Sequence, residues 1–132
     1  MRERKFESKE DYLETILILS ERKQSVRSID IADELKFSKP SVSIAMKNLR
    51  EEECIKVDKN GYIMLTEKGR EIAERVYERH LVFTEWLTSI GVPPEIACED
   101  ACHIEHDLSV ESFEAIKKYL DKHRAADKSS AD

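Results

Sequence analysis

The fold is decided by residues 28–65, which read SIDIADELKFSKPSVSIAMKNLREEECIKVDKNGYIML. Apolar residues recur in the first part at the spacing of one helical face, in two segments that Ser28 and Ser38 are placed to cap. Pro40 stands in the first turn of the second segment, where a missing backbone N–H costs little. Two short apolar runs then flank Asn60-Gly61, a dipeptide typical of tight hairpin turns. The stretch therefore predicts two helices followed by a two-stranded hairpin.

Helical patterns continue on both sides of this stretch. One helix precedes it, and three follow, the first capped by Thr66 and the last by Ser109. Three helices followed by a hairpin form the winged helix-turn-helix arrangement, whose third helix can enter a major groove. We expect a mainly α protein with a winged helix-turn-helix DNA-binding domain and two-stranded wing in residues 1–70. A C-terminal helical dimerisation domain follows in residues 71–123, and a flexible tail in residues 124–132. A generic helical bundle carrying an extra hairpin is the alternative.

The long helix after Thr66 carries more apolar surface than one small lobe can bury. The residues concerned are Val82, Phe83, Trp86, Leu87 and Ile90. Formation of a homodimer is the expected use of this surface. Simple core packing is the alternative.

Composition narrows the class of protein. The 132 residues are 40% hydrophobic and 38% charged, with 3 Gly and 3 Pro, which excludes collagen-like, Gly/Pro-rich disordered and β-sandwich proteins. The 3 cysteines are an odd number without a paired framework, so reduced thiols are expected. No apolar run approaches the ~18 residues of a membrane span, and no signal peptide is evident. We expect a cytoplasmic protein without a membrane partner.

The distribution of charge matters more than its total. A net charge of −6 argues against binding to nucleic acid, yet residues 1–70 carry +1 and residues 71–132 carry −7. Lys36 to Arg50, which includes the predicted recognition helix, contains no Asp or Glu. Cations and small hydroxyls suit phosphate clamping and close approach to base edges, although an ordinary solvated helix face is the alternative. The predicted DNA-binding residues are Arg27, Ser38, Lys39, Pro40, Ser41, Ser43, Lys47, Arg50 and Lys59.

A second cluster offers ligands for a metal ion. Cys102, Glu105 and His106 stand at i, i+3 and i+4, so one helical face presents a thiol, a carboxylate and an imidazole. His80 falls on an apolar stripe and should point inward, and Asp11 and Glu14 share a face of the first helix. The alternatives are a hydrogen-bonded core histidine, a cysteine that fills apolar space and a solvated acid pair.

Several ordered motifs resemble those of the diphtheria toxin repressor family of metal-dependent transcriptional repressors. They are SKEDYLETI (8–16), VRSIDIA (26–32), SKPSV (38–42), LTEKG (65–69) and DACHIEHDLS (100–109). The resemblance implies a repressor of metal-ion homeostasis that binds double-stranded operator DNA as a homodimer when loaded with Mn(II) or Fe(II). It also implies metal-ligand positions at Asp11, Glu14, His80, Cys102, Glu105 and His106. The short chain is closest to the manganese-regulator branch.

The chain departs from both branches of that family. Asp11 and Glu14 match the manganese branch, in which a Glu normally stands where this chain has Cys102. Cys102 matches the iron branch, whose ancillary site would need other residues where Thr84 and Cys98 stand. Carboxylates favour Mn(II) and a thiolate favours Fe(II), Co(II) or Zn(II). We expect Mn(II) or Fe(II), with manganese slightly favoured.

Two other functions compete with this one. A metal-independent winged-helix regulator would respond to an organic ligand instead. A zinc hydrolase is suggested by the spacing of Cys102, Glu105 and His106, which is similar to an H-x-x-E-H helix with its first His replaced. The replacement of the first His argues against a hydrolase, and a hydrolase would leave the DNA-binding pattern unexplained. No enzymatic activity is expected.

Overall fold

The structure, a computed structural model, describes residues 9–130, with side chains as far as residue 123. This part of the chain contains six helices and a two-stranded antiparallel sheet. In chain order they are α1 (Lys9–Arg22), α2 (Ser28–Leu35), α3 (Lys39–Glu51), β1 (Ile55–Val57), β2 (Ile63–Leu65), α4 (Glu67–Ser89), α5 (Pro94–Asp107) and α6 (Val110–Ser130). The predicted order and the predicted fold class are confirmed.

The chain forms two compact units, the first ending at Arg75 and the second beginning at Val76, inside α4. Helix α6 continues through residues 124–130, where the composition predicts a flexible tail. The last two residues of that tail lie outside the described residues. None of the helices in residues 9–130 combines the length and the apolar character that crossing a bilayer requires.

Side-chain caps fix where the helices of the first unit begin. The Ser38 Oγ accepts a hydrogen bond from the Ser41 N–H at 3.3 Å, and the Thr66 Oγ1 accepts one from the Gly69 N–H at 3.1 Å, as predicted. Ser28 is not a cap, because α2 already begins at that residue. The Asp30 carboxylate takes the capping role, accepting from the Arg27 N–H at 2.9 Å.

The wing pairs Ile55 with Leu65 and Val57 with Ile63. Its turn is not the two-residue Asn-Gly turn that the sequence predicts, because of the two residues only Gly61 has a positive φ, +83°. The Asp58 carboxylate instead accepts hydrogen bonds from the N–H groups of Asn60 at 2.8 Å and Tyr62 at 3.0 Å. A side chain therefore organises this turn, with a single glycine in the left-handed region.

Gly69 allows α4 to begin close to the end of α3. The Thr66 N–H donates to the Cys54 carbonyl at 3.0 Å, and a Cβ on Gly69 would overlap that same carbonyl oxygen. Because the obstacle is backbone, no side-chain movement could relieve it. This glycine therefore sets the packing of α4 within the first unit.

The second unit has its own small core of Phe83, Ala101 and Phe113. The Phe83 and Phe113 rings meet edge to face with centroids 5.8 Å apart. Phe83 is buried, so its assignment to an exposed dimerisation surface is wrong. Trp86 and Ile90, from the same predicted surface, are exposed at 36% and 63%. Of these predicted surface residues, Phe83 therefore belongs to the core, whereas Trp86 and Ile90 lie on the surface.

Candidate metal centre and nucleic-acid interface

The recognition helix α3 buries one face and exposes the other. Val42, Met46 and Leu49 are buried in the first unit, because they recur at the spacing of a single helical face. The exposed side carries the predicted DNA-binding residues Lys39, Pro40, Ser43, Lys47 and Arg50. The cations of α3 are therefore available to phosphates, and the small hydroxyl of Ser43 leaves room for close approach.

Two of the predicted DNA-binding serines also hold the turn before α3. Ser38 accepts from the Ser41 N–H, and the two hydroxyl oxygens lie 2.9 Å apart. Ser41 is half-buried, whereas Ser38 is exposed. Both side chains therefore stabilise the start of the recognition helix, and their contact with DNA stays a prediction.

Arg27 and Lys59 lie outside α3 in the same unit. The Arg27 guanidinium stands over the Tyr62 ring, 4.7 Å from its centroid, which restrains a long side chain next to the wing. Lys59 is exposed in the turn of the wing. Both cations are placed on elements that flank the recognition helix in a winged fold.

Asp30 balances the cations near the start of α2. Hydrogen bonds from the Lys23 ammonium, at 2.6 Å, and from the Arg27 N–H hold the pKa of the Asp30 carboxyl below its ordinary value. The Asp30 carboxylate is therefore hydrogen-bonded within the first unit.

Asp11 and Glu14 stand on α1 in the first unit. Their exposed fractions are 1% and 4%, so they are not the solvated acid pair that was the alternative. Burial of carboxylates is unfavourable unless cations, hydrogen bonds or a metal ion compensate for the lost water. That one turn of α1 buries two of them agrees with a role as ligands.

The second unit gathers potential ligands around the Glu105 carboxylate, whose side chain is fully buried. The His80 Nδ1, from α4, lies 3.2 Å from the Glu105 Oε2. The His106 Nε2, one residue along α5, lies 3.5 Å from the Glu105 Oε1. A carboxylate between two imidazoles is a donor set that suits Mn(II), Fe(II) and Zn(II).

Cys102 completes the predicted face of α5. It is buried, and Cys102, Glu105 and His106 each offer a donor atom within 4.8 Å of those of the other two. The predicted i, i+3, i+4 arrangement is therefore present as geometry. Three of the six predicted ligands, His80, Cys102 and His106, lie around the carboxylate of a fourth, Glu105, in the second unit. Their union with Asp11 and Glu14 stays a prediction.

Two residues near this cluster are not among the predicted ligands: the sequence leaves the role of Cys98 open and does not indicate Arg79. Cys98 is exposed, and its Sγ lies 3.4 Å from the His80 Nε2; its position one turn before Cys102 on α5 is the signal that could have assigned it. Arg79 is buried, and one nitrogen of its guanidinium donates to the carbonyls of Glu105 at 3.0 Å and Leu108 at 2.9 Å. Arg79 therefore fixes the end of α5 that carries Glu105 and His106.

Comparison with known proteins also divides the chain into two parts, which meet at the start of α4. Residues 6–68 match a family described as iron dependent repressor, N-terminal DNA binding domain. Residues 66–128 match one described as iron dependent repressor, metal binding and dimerisation domain.

Individual relatives agree with both matches. The chain is 38% identical over 109 residues to the HTH-type transcriptional regulator MntR of Listeria monocytogenes, covering 83% of this chain and 77% of that protein. It is 34% identical over 116 residues to the transcriptional regulator MntR of Escherichia coli O157:H7, covering 88% of this chain and 75% of the relative. The solved structure of the manganese regulator SloR is similar, with a TM-score of 0.75 and 32% identity. The match covers 86% of this chain and 54% of SloR, so this chain spans about half of that structure.

Proposed function

The chain belongs to the iron-dependent repressor family of metal-dependent transcriptional regulators, and we propose that it binds double-stranded operator DNA as a homodimer when loaded with Mn(II) or Fe(II). This membership confirms the resemblance to the diphtheria toxin repressor family. Because the relatives are regulators and not enzymes, it removes the zinc-hydrolase alternative. The proposed role is repression of genes of metal-ion homeostasis, at the chromosomal DNA of the cytoplasm.

The observation that carries the metal requirement is the buried Glu105 carboxylate between His80 and His106. A fully buried carboxylate in contact with two imidazoles offers oxygen and nitrogen ligands to a divalent cation. The ion would in turn compensate the carboxylate for the water that burial removes. A bound cation supplies positive charge and directional coordination at this point. We propose Cys102, Asp11 and Glu14 as the remaining ligands, on the strength of their burial and of the family resemblance.

In the proposed mechanism, the acids inhibit the protein when no metal is bound. Asp11, Glu14 and Glu105 repel one another wherever they share a site without a cation, and this repulsion disfavours the DNA-competent state. A bound cation would neutralise these carboxylates and so remove their mutual repulsion. A shift from 1:99 to 99:1 in favour of the competent state requires only about 5.5 kcal/mol of preferential binding.

The choice of metal follows from the donor set. Carboxylates and imidazoles accept Mn(II) and Fe(II) alike, whereas the Cys102 thiol is a softer donor. Three carboxylates against one thiol favour Mn(II) slightly. SloR, one of the similar structures, is a manganese regulator, and the same preference is proposed for this chain.

The homodimer is proposed to form through the second unit. Trp86, Ile90 and Ile96 are exposed at 36%, 63% and 47% in the part of the chain that matches a dimerisation domain. Covering large apolar side chains of this kind favours association. A dimer would present two recognition helices to successive major grooves, about 34 Å apart along the duplex.

The experiment that tests this function measures DNA binding with and without metal. A duplex is enriched from a random-sequence pool with the Mn(II)-loaded protein, and its Kd is measured by fluorescence anisotropy in Mn(II), in Fe(II) under anaerobic conditions, in Zn(II) and in chelator. We expect Mn(II) or Fe(II) to tighten binding at least tenfold over chelator. Equal affinity in chelator would instead support the metal-independent regulator.

A matched pair of histidine variants controls this experiment. His106→Gln removes an imidazole from the Glu105 cluster, whereas His123→Gln removes an exposed one from α6. Only His106→Gln should abolish the difference between metal and chelator. Equal loss in both variants would remove His106 from the proposed site.

A further inference from the structure

The exposed face of the recognition helix carries a large apolar side chain among its cations. Ile44 is 63% exposed, although its neighbours Val42 and Met46 are buried. Residue 44 falls on the opposite side of α3 from the buried stripe, because two positions along a helix rotate a side chain by about 200°. Ile44 therefore contributes nothing to the core of the first unit.

A single exposed isoleucine is ordinary on a protein surface, so its surroundings have to assign its role. Pro40 lies one turn before Ile44, and Ser43 and Lys47 flank it; all three are exposed. Ile44 is thus the bulkiest exposed apolar side chain within the acid-free window from Lys36 to Arg50. A large ligand that this charge pattern favours is a polyanion such as DNA.

Position along the helix makes the assignment sharper. Ile44 is the sixth residue of α3, which begins at Lys39, and the N-terminal half of a recognition helix is the part that contacts base edges. An isoleucine can neither donate nor accept a hydrogen bond, so it cannot read the polar pattern of a base. The apolar feature of the major groove is the C5-methyl group of thymine.

Resting on the DNA binding proposed above, we propose that Ile44 is a specificity-determining residue that selects thymine through its C5-methyl group. Lys47 and Arg50 neutralise phosphates and supply affinity for any sequence. Ile44 adds a preference at one base pair of each half-site, because only a methyl-bearing base covers its side chain. Its exposure in the protein is therefore lost only on the correct sequence.

The test removes the methyl group and the isoleucine in turn. In the duplex enriched from a random pool with Mn(II)-loaded protein, the thymines are replaced by deoxyuridine one at a time, which gives one duplex for each position. Deoxyuridine lacks only the C5-methyl group. The wild type should bind two such duplexes, one for each half-site, about fourfold more weakly, the effect of uncovering roughly one methyl group. In Ile44→Ala the same replacement should have no effect, while folding is retained because residue 44 is exposed.

Lys47→Ala is the control for a change that acts through phosphate. This variant should bind all duplexes more weakly, with the slope of log K against log salt lowered by about two, one for each protomer of the dimer, and should keep the wild-type response to deoxyuridine. The same response to deoxyuridine in wild type and Ile44→Ala would overturn the proposal while leaving DNA binding intact. A changed oligomeric state in Ile44→Ala with unchanged base preference would overturn it in favour of a protein contact. Failure of the wild type to enrich any duplex would overturn the proposed function itself.

Discussion

Helices α3 and α5 are almost equal in length, 13 and 14 residues, but they use charge in opposite ways. Helix α3 carries Lys39, Lys47 and Arg50, all exposed. Helix α5 has five acidic residues and no Lys or Arg, and it buries Glu105 together with Cys102. Exposed cations keep their water until a partner displaces it, whereas a buried carboxylate requires partners within the fold.

The difference explains how one chain of net charge −6 can bind DNA. The surface that meets DNA is defined by the absence of acids between Lys36 and Arg50, and not by the total charge. In the second unit, the acid proposed to bind metal is the buried Glu105. The exposed cations of α3 therefore belong to the first unit, and the buried Glu105 cluster, which we propose to bind a cation, belongs to the second.

The largest effect is expected in the first unit from Gly69→Ala. The new Cβ would overlap the Cys54 carbonyl oxygen, so the start of α4 must shift. We expect a loss of several kcal/mol of unfolding free energy, at the upper end for a single substitution, with loss of DNA binding at any metal concentration. Urea unfolding followed by circular dichroism measures it.

Gly61→Ala is the matched glycine control. It meets no neighbouring atom, but Gly61 has a φ of +83°, so only a backbone penalty of about 1 kcal/mol is expected. Equal losses for the two variants would show that the Cys54 contact does not determine the cost.

The next effect is expected at the centre of the second unit. Glu105→Gln keeps the size of the side chain but removes the charge between His80 and His106. Metal affinity should fall about a hundredfold or more, because even outer partners of metal ligands contribute tenfold to a hundredfold. Isothermal titration with Mn(II) measures the fall. Unchanged Mn(II) affinity would remove Glu105 from the metal centre.

Cys102→Glu is expected to change the preferred metal and not the fold. Replacing a thiol by a carboxylate should raise the affinity for Mn(II) relative to Co(II) by about tenfold, since manganese prefers oxygen ligands. Competition titrations give the ratio, and the Co(II) complex of the wild type should show a thiolate charge-transfer band. A wild-type complex without that band would contradict coordination by Cys102.

The smallest effect is expected for Asp30, an acid whose partners are cationic and local. Its pKa is lowered by the Lys23 hydrogen bond, so its stabilisation is present above the unfolded value of 3.8 and is lost as the pH falls through the lower folded value. Asp30→Asn should reduce stability at pH 7 by about 1 kcal/mol or less, and this difference should vanish below the folded pKa. Urea titrations between pH 7 and pH 3 test it, and a difference that grows on acidification would contradict the assigned partner.

Some local signals predict the structure correctly, whereas Ser28 is not a cap and the wing turn is not the predicted Asn-Gly turn. Long-range contacts are not predicted. Ser38 and Thr66 cap helices as their sequence context indicates, because a cap involves residues only three positions apart. Phe83 was assigned to a surface because its partner, Phe113, is distant in sequence and belongs to another helix. Arg79 was missed for the same reason, since a buried arginine is visible only once the carbonyls of Glu105 and Leu108 are in place.

The candidate site divides along the same line. The face formed by Cys102, Glu105 and His106 follows from helical spacing alone, and the structure has it. The position of Cys98 one turn before Cys102 can be read from the sequence, but its contact with His80 on another helix cannot. The identity of the metal depends on which donors meet one ion, and spacing within a single helix cannot supply that information.

The central claim is that metal binding and DNA binding are coupled through one protein. Coupling between two ligands is reciprocal, so each must change the affinity of the other by the same factor. The most direct measurement is therefore the Mn(II) affinity of the wild-type protein with and without its enriched duplex. The duplex should tighten Mn(II) binding by the same factor, tenfold or more, by which Mn(II) tightens DNA binding. An Mn(II) affinity that is the same with and without DNA would contradict it.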